Sequence, residues 1–325
     1  MSGRMGCFVL AFSLGTWPAN GQEDPSEGKG SPKVEEPSFR SAKSTEAFQK
    51  ARKLFDQESY NEALLAMKRL RDQGKSAADR EVLQNWIRAS EGGVLLSKYR
   101  QMFQRGVLRT TLFSAMDQAV SYRGTPVAPR YEALINENMP RVIHVLENFD
   151  TRTNRYSKKY GKDFINDPKI VFRGAYCLEW VSTKAGKPSQ LALKDVPQKW
   201  APFHSVVFWI RCEQPVELQL IALSSGSDSD EDTDALVAIY SPPARGGWVR
   251  AEVTLDQFRK HGSASFGNVG RFVIQIESKT TYKFYIDELG LVRKDSPGAG
   301  VADSGADSKE GKNQKKSKKK PPAKE

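Results

Sequence analysis

The chain has 325 residues, 50 Lys and Arg against 39 Asp and Glu, a formal charge of +11 and a pI near 9.4. Hydrophobic residues make up 38% of it, enough for a core but too few for a chain packed throughout, so part of it must be solvated. Eight lysines and two glutamates between Lys309 and Glu325 supply +6 of the +11, which argues against specific nucleic-acid binding, because such a fold carries its basic residues on its own body. Three cysteines and three histidines leave little room for a zinc site or a disulfide scaffold.

The N-terminal residues 1–21 read as a signal peptide. Arg4 supplies a positive start, Met5 to Trp17 an apolar stretch, and Ala19 and Gly21 the small residues of a cleavage site. The apolar run is shorter than the roughly 20 residues a bilayer span needs, so no transmembrane segment is expected after cleavage. Export to the periplasm, the cell surface or the medium follows. Residues 22–44 mix Pro, Gly, Ser and both charges with almost nothing to bury, as a disordered linker does. Residues 295–325 repeat that composition and end in KKSKKKPPAKE, a disordered basic tail.

From Thr45 the apolar period is helical. Ala47, Phe48, Ala51, Leu54 and Phe55 form one stripe, and Tyr60, Ala63, Leu64, Met67 and Leu70 a second. Asp56 to Ser59 joins them, so the two helices are expected to pack as an antiparallel hairpin. The spacing of Ala51, Leu54, Tyr60, Ala63, Met67 and Leu70 resembles a tetratricopeptide repeat, although Lys75 stands where its late proline belongs and no clean second copy follows. Further helices are expected at 78–91, 94–104 and 107–121, completing a helical domain over 45–140. A plain helical bundle that spaces or caps the next domain is the alternative.

After Pro140 the period becomes two. Alternation recurs at His144–Leu146, Ser205–Arg211, Val216–Leu223, Ala235–Tyr240, Trp248–Leu255, Arg271–Glu277 and Tyr282–Val292, with Gly- and Pro-rich turns between. The fold class is therefore α+β in two domains, with an antiparallel β-sandwich over 141–294.

Five ordered motifs refine that expectation: Glu147-Asn148-Phe149-Asp150, Gly174 to Trp180, Val206 to Ile210, Gly247-Trp248 ahead of Val253 to Phe258, and Phe284 to Leu289. Together they resemble the galactose-binding-like jelly rolls of certain carbohydrate-binding modules and of the complex I intermediate-associated proteins. The resemblance covers roughly residues 143–293. Parity along the strands places Val206, Phe208, Ile210, Leu218, Leu220, Val249, Ala251, Val253, Phe272, Ile274, Ile276, Phe284 and Ile286 in the core, and Trp209, Glu217, Gln219, Arg250, Glu252, Gln275 and Tyr285 on the opposite face. Sugar recognition combines an aromatic ring with polar groups, so Trp209, Gln219, Arg250 and Gln275 are the candidate carbohydrate-binding residues. An ordinary solvated sheet face, its tryptophan covered by a loop or by the helices, shows the same alternation. Trp180 and Trp248 are expected in the core or at a strand end.

The resemblance also implies a structural calcium between the first and last strands, at Glu147 and Asp287. The run Ser227 to Asp234 places Asp228, Asp230, Asp232 and Asp234 at alternate positions, but Thr233 and Ile239 replace the glycine and glutamate an EF-hand loop requires. A solvated acidic loop accounts for it better. Cys177 and Cys212 either pair or stay as buried thiols. No nucleophile-elbow, zinc-protease or P-loop motif is present, and His144, His204 and His261 lie far apart, so no catalytic residues are assigned. Three function classes remain: an exported non-catalytic carbohydrate-binding protein with a helical scaffold, a protein-interaction or assembly factor working through the helical hairpins, and a glycoside hydrolase.

Overall fold

The computed structural model describes residues 35–150, 162–181, 188–225, 234–276 and 282–294. The expected signal peptide, most of the linker, the basic tail and most of the acidic run at 227–234 lie outside those residues. The described residues from Pro37 onward form one compact unit.

Among the described residues five helices come first. Helix α1 (Ala42–Asp56) opens on Ser41, whose Oγ accepts the Ser44 backbone N–H at 3.1 Å and satisfies one of the donors a helix start leaves open. Order begins earlier than the linker boundary at 44 implies. Phe39 is already buried, its ring 5.6 Å from that of Phe48. Helix α2 (Tyr60–Leu70) follows, and the two stripes meet as expected, with Phe48, Ala51 and Phe55 buried from one and Tyr60, Ala63, Met67 and Leu70 from the other. Helix α3 (Ala77–Gln104) starts at a capping box in which Ser76 and Asp79 satisfy each other's backbone N–H groups.

Two expectations change here. The helices expected at 78–91 and 94–104 are one continuous helix of 28 residues. Gly92 and Gly93 do not break it; a Cβ on Gly93 would lie 2.1 Å from the Tyr60 ring, so glycine lets α2 pack directly on the α3 backbone. After α4 (Arg109–Ser121) comes α5 (Ala128–Val142), a helix not among those expected, because prolines in its first and last turns masked the helical stripe of Tyr131, Leu134, Ile135 and Met139. Pro129 sits in the first turn, where its missing N–H costs nothing, and Pro140 in the last.

Among the described residues eleven strands follow: β1 (Ile143–Glu147), β2 (Lys162–Ile165), β3 (Cys177–Val181), β4 (Ser189–Leu193), β5 (Phe203–Cys212), β6 (Leu218–Ser224), β7 (Ala235–Tyr240), β8 (Trp248–Thr254), β9 (Arg259–His261), β10 (Val269–Ile276) and β11 (Lys283–Arg293). They form two antiparallel sheets. One has six strands in the order β2-β3-β11-β5-β8 with β1 also paired to β11, and the other has five in the order β4-β10-β6-β7-β9. This is an α+β protein with a β-sandwich.

The expected core set lies between the sheets, Val249 alone among its members being half-buried. A second core lies on the far side of the six-stranded sheet. There Val207, Trp209 and Val292, with Phe172 from the β2–β3 connection, pack among the side chains of the helices. Strand β5 is thus buried on both faces over most of its length, which explains its nearly unbroken apolar run. Polar contacts close the seam: Arg109 of α4 pairs with Glu252 of β8, and the Ser205 hydroxyl donates to the same carboxylate at 2.6 Å.

Candidate functional site

The four candidate sugar-binding residues do not form one site. Trp209 and Arg250 lie directly opposite each other on β5 and β8 of the six-stranded sheet, while Gln219 and Gln275 pair on β6 and β10 of the other sheet. Trp209 is only 1% exposed, wedged between Phe172 and Phe113. It cannot offer a ring to a sugar in this structure. The reason is α4, which covers this half of the sheet. Arg250 lies at the margin of that cover, its guanidinium carbon 4.2 Å from the centre of the Phe113 ring. Across the sandwich, the Gln190 amide donates to Gln275 at 2.6 Å and Gln275 donates to Gln219 at 3.3 Å. This amide row has Ile239 beside it in register, and no aromatic ring.

A different group comes together on the six-stranded sheet. Along β5 the outward positions Ser205, Val207 and Trp209 are buried beneath the helices, whereas Arg211 is half-buried. The cover ends between Trp209 and Arg211. At the level of Arg211, strand register aligns Asp163 of β2, Glu179 of β3, Tyr285 of β11, Arg211 of β5 and Trp248 of β8 in one row. All five are half-buried. Their neighbours along the strands, Leu178, Trp180, Ile210, Phe284 and Ile286 among them, point into the core, so the row faces outward. Adjacent strands lie about 4.8 Å apart, which makes the row roughly 19 Å long.

The row is held in place from several sides. Lys283 Nζ lies 2.7 Å from Glu179 Oε2 and 5.5 Å from the centre of the Tyr285 ring. The hydrogen bond that Lys283 donates to Glu179 raises the Lys283 pKa and keeps it charged, while partial burial pushes the Tyr285 phenol up and keeps it neutral. At the other end, Trp248 Nε1 donates to the Ile170 carbonyl at 2.8 Å and Arg211 Nη1 to the Lys169 carbonyl at 3.2 Å, so the β2–β3 connection bounds the row. Parity alone placed Tyr285 outward; the alignment of five residues from five strands depends on pairings between distant parts of the chain and had no local signal. Apart from this face, a cleft of about 200 Å³ lies between α3 and α5, lined by Arg100, Gln104, Glu137, Asn138 and Arg141 over Phe103 and Leu134.

The residues expected to hold calcium do not fit that ion. Both Asp287 oxygens accept backbone N–H groups, from Glu288 at 2.9 Å and Arg173 at 3.1 Å, and Glu147 Oε1 accepts the Phe149 N–H at 3.0 Å. Glu288 and Asp150 are carboxylates whose charge bears on Asp287. Among the described residues no three His, Cys, Asp or Glu side chains gather into a metal-binding group, whereas calcium takes six to eight oxygens. Cys177 and Cys212 are both buried free thiols, on β3 and β5 with β11 between them. Burial pushes the Cys177 thiol up to about 12, which leaves it unreactive.

No family model matches the chain, and no curated protein does. Among solved structures it is similar to a family 11 carbohydrate-binding module from Clostridium thermocellum, at 14% identity and TM-score 0.33, over 41% of this chain and 81% of the module. It is similar also to the family 30 module of a cellulosomal cellulase of Clostridium thermocellum, at 10% identity and TM-score 0.33, over 42% of this chain and 87% of the other. An exo-beta-agarase matches at 9% identity and TM-score 0.32, over 46% of this chain and 25% of that enzyme.

Proposed function

We propose that this is an exported, non-catalytic carbohydrate-binding protein whose glycan lies along the row Asp163, Glu179, Tyr285, Arg211 and Trp248, with the helices as scaffold. The observation that carries the reading is the alternation in that row of aromatic rings with charged hydrogen-bonding groups on an outward sheet face. Half-exposed rings stack on the C–H face of a pyranose, and carboxylate and guanidinium groups bond its hydroxyls. Because Lys283 and the β2–β3 connection already hold the side chains, little ordering entropy is lost on binding. Two carboxylates and two cations balance in charge, which favours a neutral polysaccharide. Export rests on the signal-like residues 1–21.

Affinity electrophoresis in gels containing mixed-linked β-glucan, xyloglucan or agarose tests this. The wild type should be retarded by at least one neutral glycan and Tyr285→Ala should run at least tenfold weaker, with Gln275→Ala unchanged. If Gln275→Ala loses binding and Tyr285→Ala keeps it, the amide row on the other sheet is the site. If no glycan retards the protein, the reading fails. Release of new reducing ends from a bound glycan would overturn the non-catalytic part.

A second reading, a protein-interaction factor, is favoured by the cleft between α3 and α5, where Arg100 and Arg141 stand over an apolar floor.

A further inference from the structure

Where β11 meets β1 and β5, the register shifts between Asp287 and Gly290, and Glu288 takes a φ of 50°. The bulge turns two consecutive carboxylates into the interior: Asp287 is 0% exposed and Glu288 5%. Buried carboxylates persist only where other groups meet their charge. Here Arg173 does so by direct hydrogen bonds, with the charge of the half-buried Arg123 also bearing on Glu132 and Asp287. The guanidinium of Arg173 places Nη1 2.7 Å from Glu288 Oε1 and Nε 2.7 Å from Glu132 Oε2 of α5, and Nη2 donates to Asn136, also of α5. Its backbone N–H serves Asp287, and the Ala175 N–H serves Asp150 at 2.6 Å. Gly174 between them admits no side chain, since a Cβ there would lie 1.9 Å from Asp150 Oδ1.

We infer that Arg173 is the resident cation of this acidic node, doing with a fixed fork of donors what a bound metal ion would otherwise do, and fastening the sandwich to α5 at the same time. A calcium ion would join only the oxygens around it within the sandwich. The guanidinium reaches out of the sandwich, because its three nitrogens serve acceptors on β11 and on α5 together.

Thermal unfolding of the full chain tests this. For the wild type, millimolar EDTA and millimolar calcium should each leave Tm unchanged; a fall in EDTA that calcium restores would overturn the inference. Arg173→Ser strands the carboxylates and should lower Tm by roughly 10 °C. A Tm equal to the wild type's would overturn it. Should Arg173→Ser fail to fold, Arg173→Met combined with Glu288→Gln removes the cation together with one of its anions. The double variant should fold and melt above Arg173→Met alone; if it is no better, Arg173 is not neutralising Glu288.

Discussion

Trp209 of β5 and Phe172 of the β2–β3 connection stack with ring centres 4.8 Å apart and planes inclined by 19°. The contact lies in the second core, so Trp209 acts as a packing residue between the sheet and α4. Truncating a buried tryptophan typically costs 3–5 kcal/mol. Trp209→Ala should therefore lower Tm by roughly 10 °C, while glycan retardation measured well below that temperature persists. A variant that keeps its Tm but loses binding would return Trp209 to the binding surface.

Gly93→Ala should destabilise the helices although alanine is the better helix former by about 1 kcal/mol. The added methyl strikes the Tyr60 ring, which cannot drift freely because Arg130 Nη1 lies 2.6 Å from its hydroxyl oxygen. Overpacking of this kind costs about 1–3 kcal/mol. A lower urea midpoint is expected; a higher one would show that the contact yields.

The acidic node makes stability depend on pH. Burial pushes the Glu288 carboxyl from 4.5 up to about 7, with Arg173 opposing the shift and Asp150 and Glu132 adding to it. Asp287 beside it is also raised, chiefly by burial. Between pH 4.5 and 7 the folded state then holds more protons at Glu288 than the unfolded state does. By linkage this group's contribution to stability falls as pH rises through that window and levels off above it. Urea midpoints taken from pH 5 to 8 should show a fall in the wild type that is reduced in Glu288→Gln. Equal slopes would place the proton elsewhere.

A fragment beginning at Ile143 should not behave as an independent module. It leaves Val207, Trp209, Val292 and Phe172 bare, a contiguous apolar surface of the kind that drives association. Size-exclusion chromatography should show the fragment aggregated or expressed insolubly and the chain from Pro37 monodisperse. A monomeric fragment with the full chain's sandwich melting transition would contradict the shared core.

Much of this architecture was legible in the chain because strand parity is a local signal. Val206, Phe208 and Ile210 alternate with Val207 and Trp209, and the core positions read from that alternation are the ones found between the sheets. Parity assigns a residue to a face, however, and cannot say what covers that face. Trp209 and Tyr285 both read as outward; α4 buries one, and the other stands beyond the helices. The cover was harder to read because Gly92 and Gly93 disguised one long helix as two and prolines at both ends concealed α5. The row at Tyr285 is a product of register among β2, β3, β11, β5 and β8, which no stretch of sequence records.

Strand β5, enclosed on both sides, ties the history of the two halves together. A sandwich whose outer layer ended in solvent would be free to pass between proteins as a cassette. Here Val207 and Trp209 commit that layer to helices encoded immediately upstream, so the shortest stretch that buries both cores runs from Phe39 to Val292. A related chain that has lost the helices should have polar residues where Val207 and Trp209 stand.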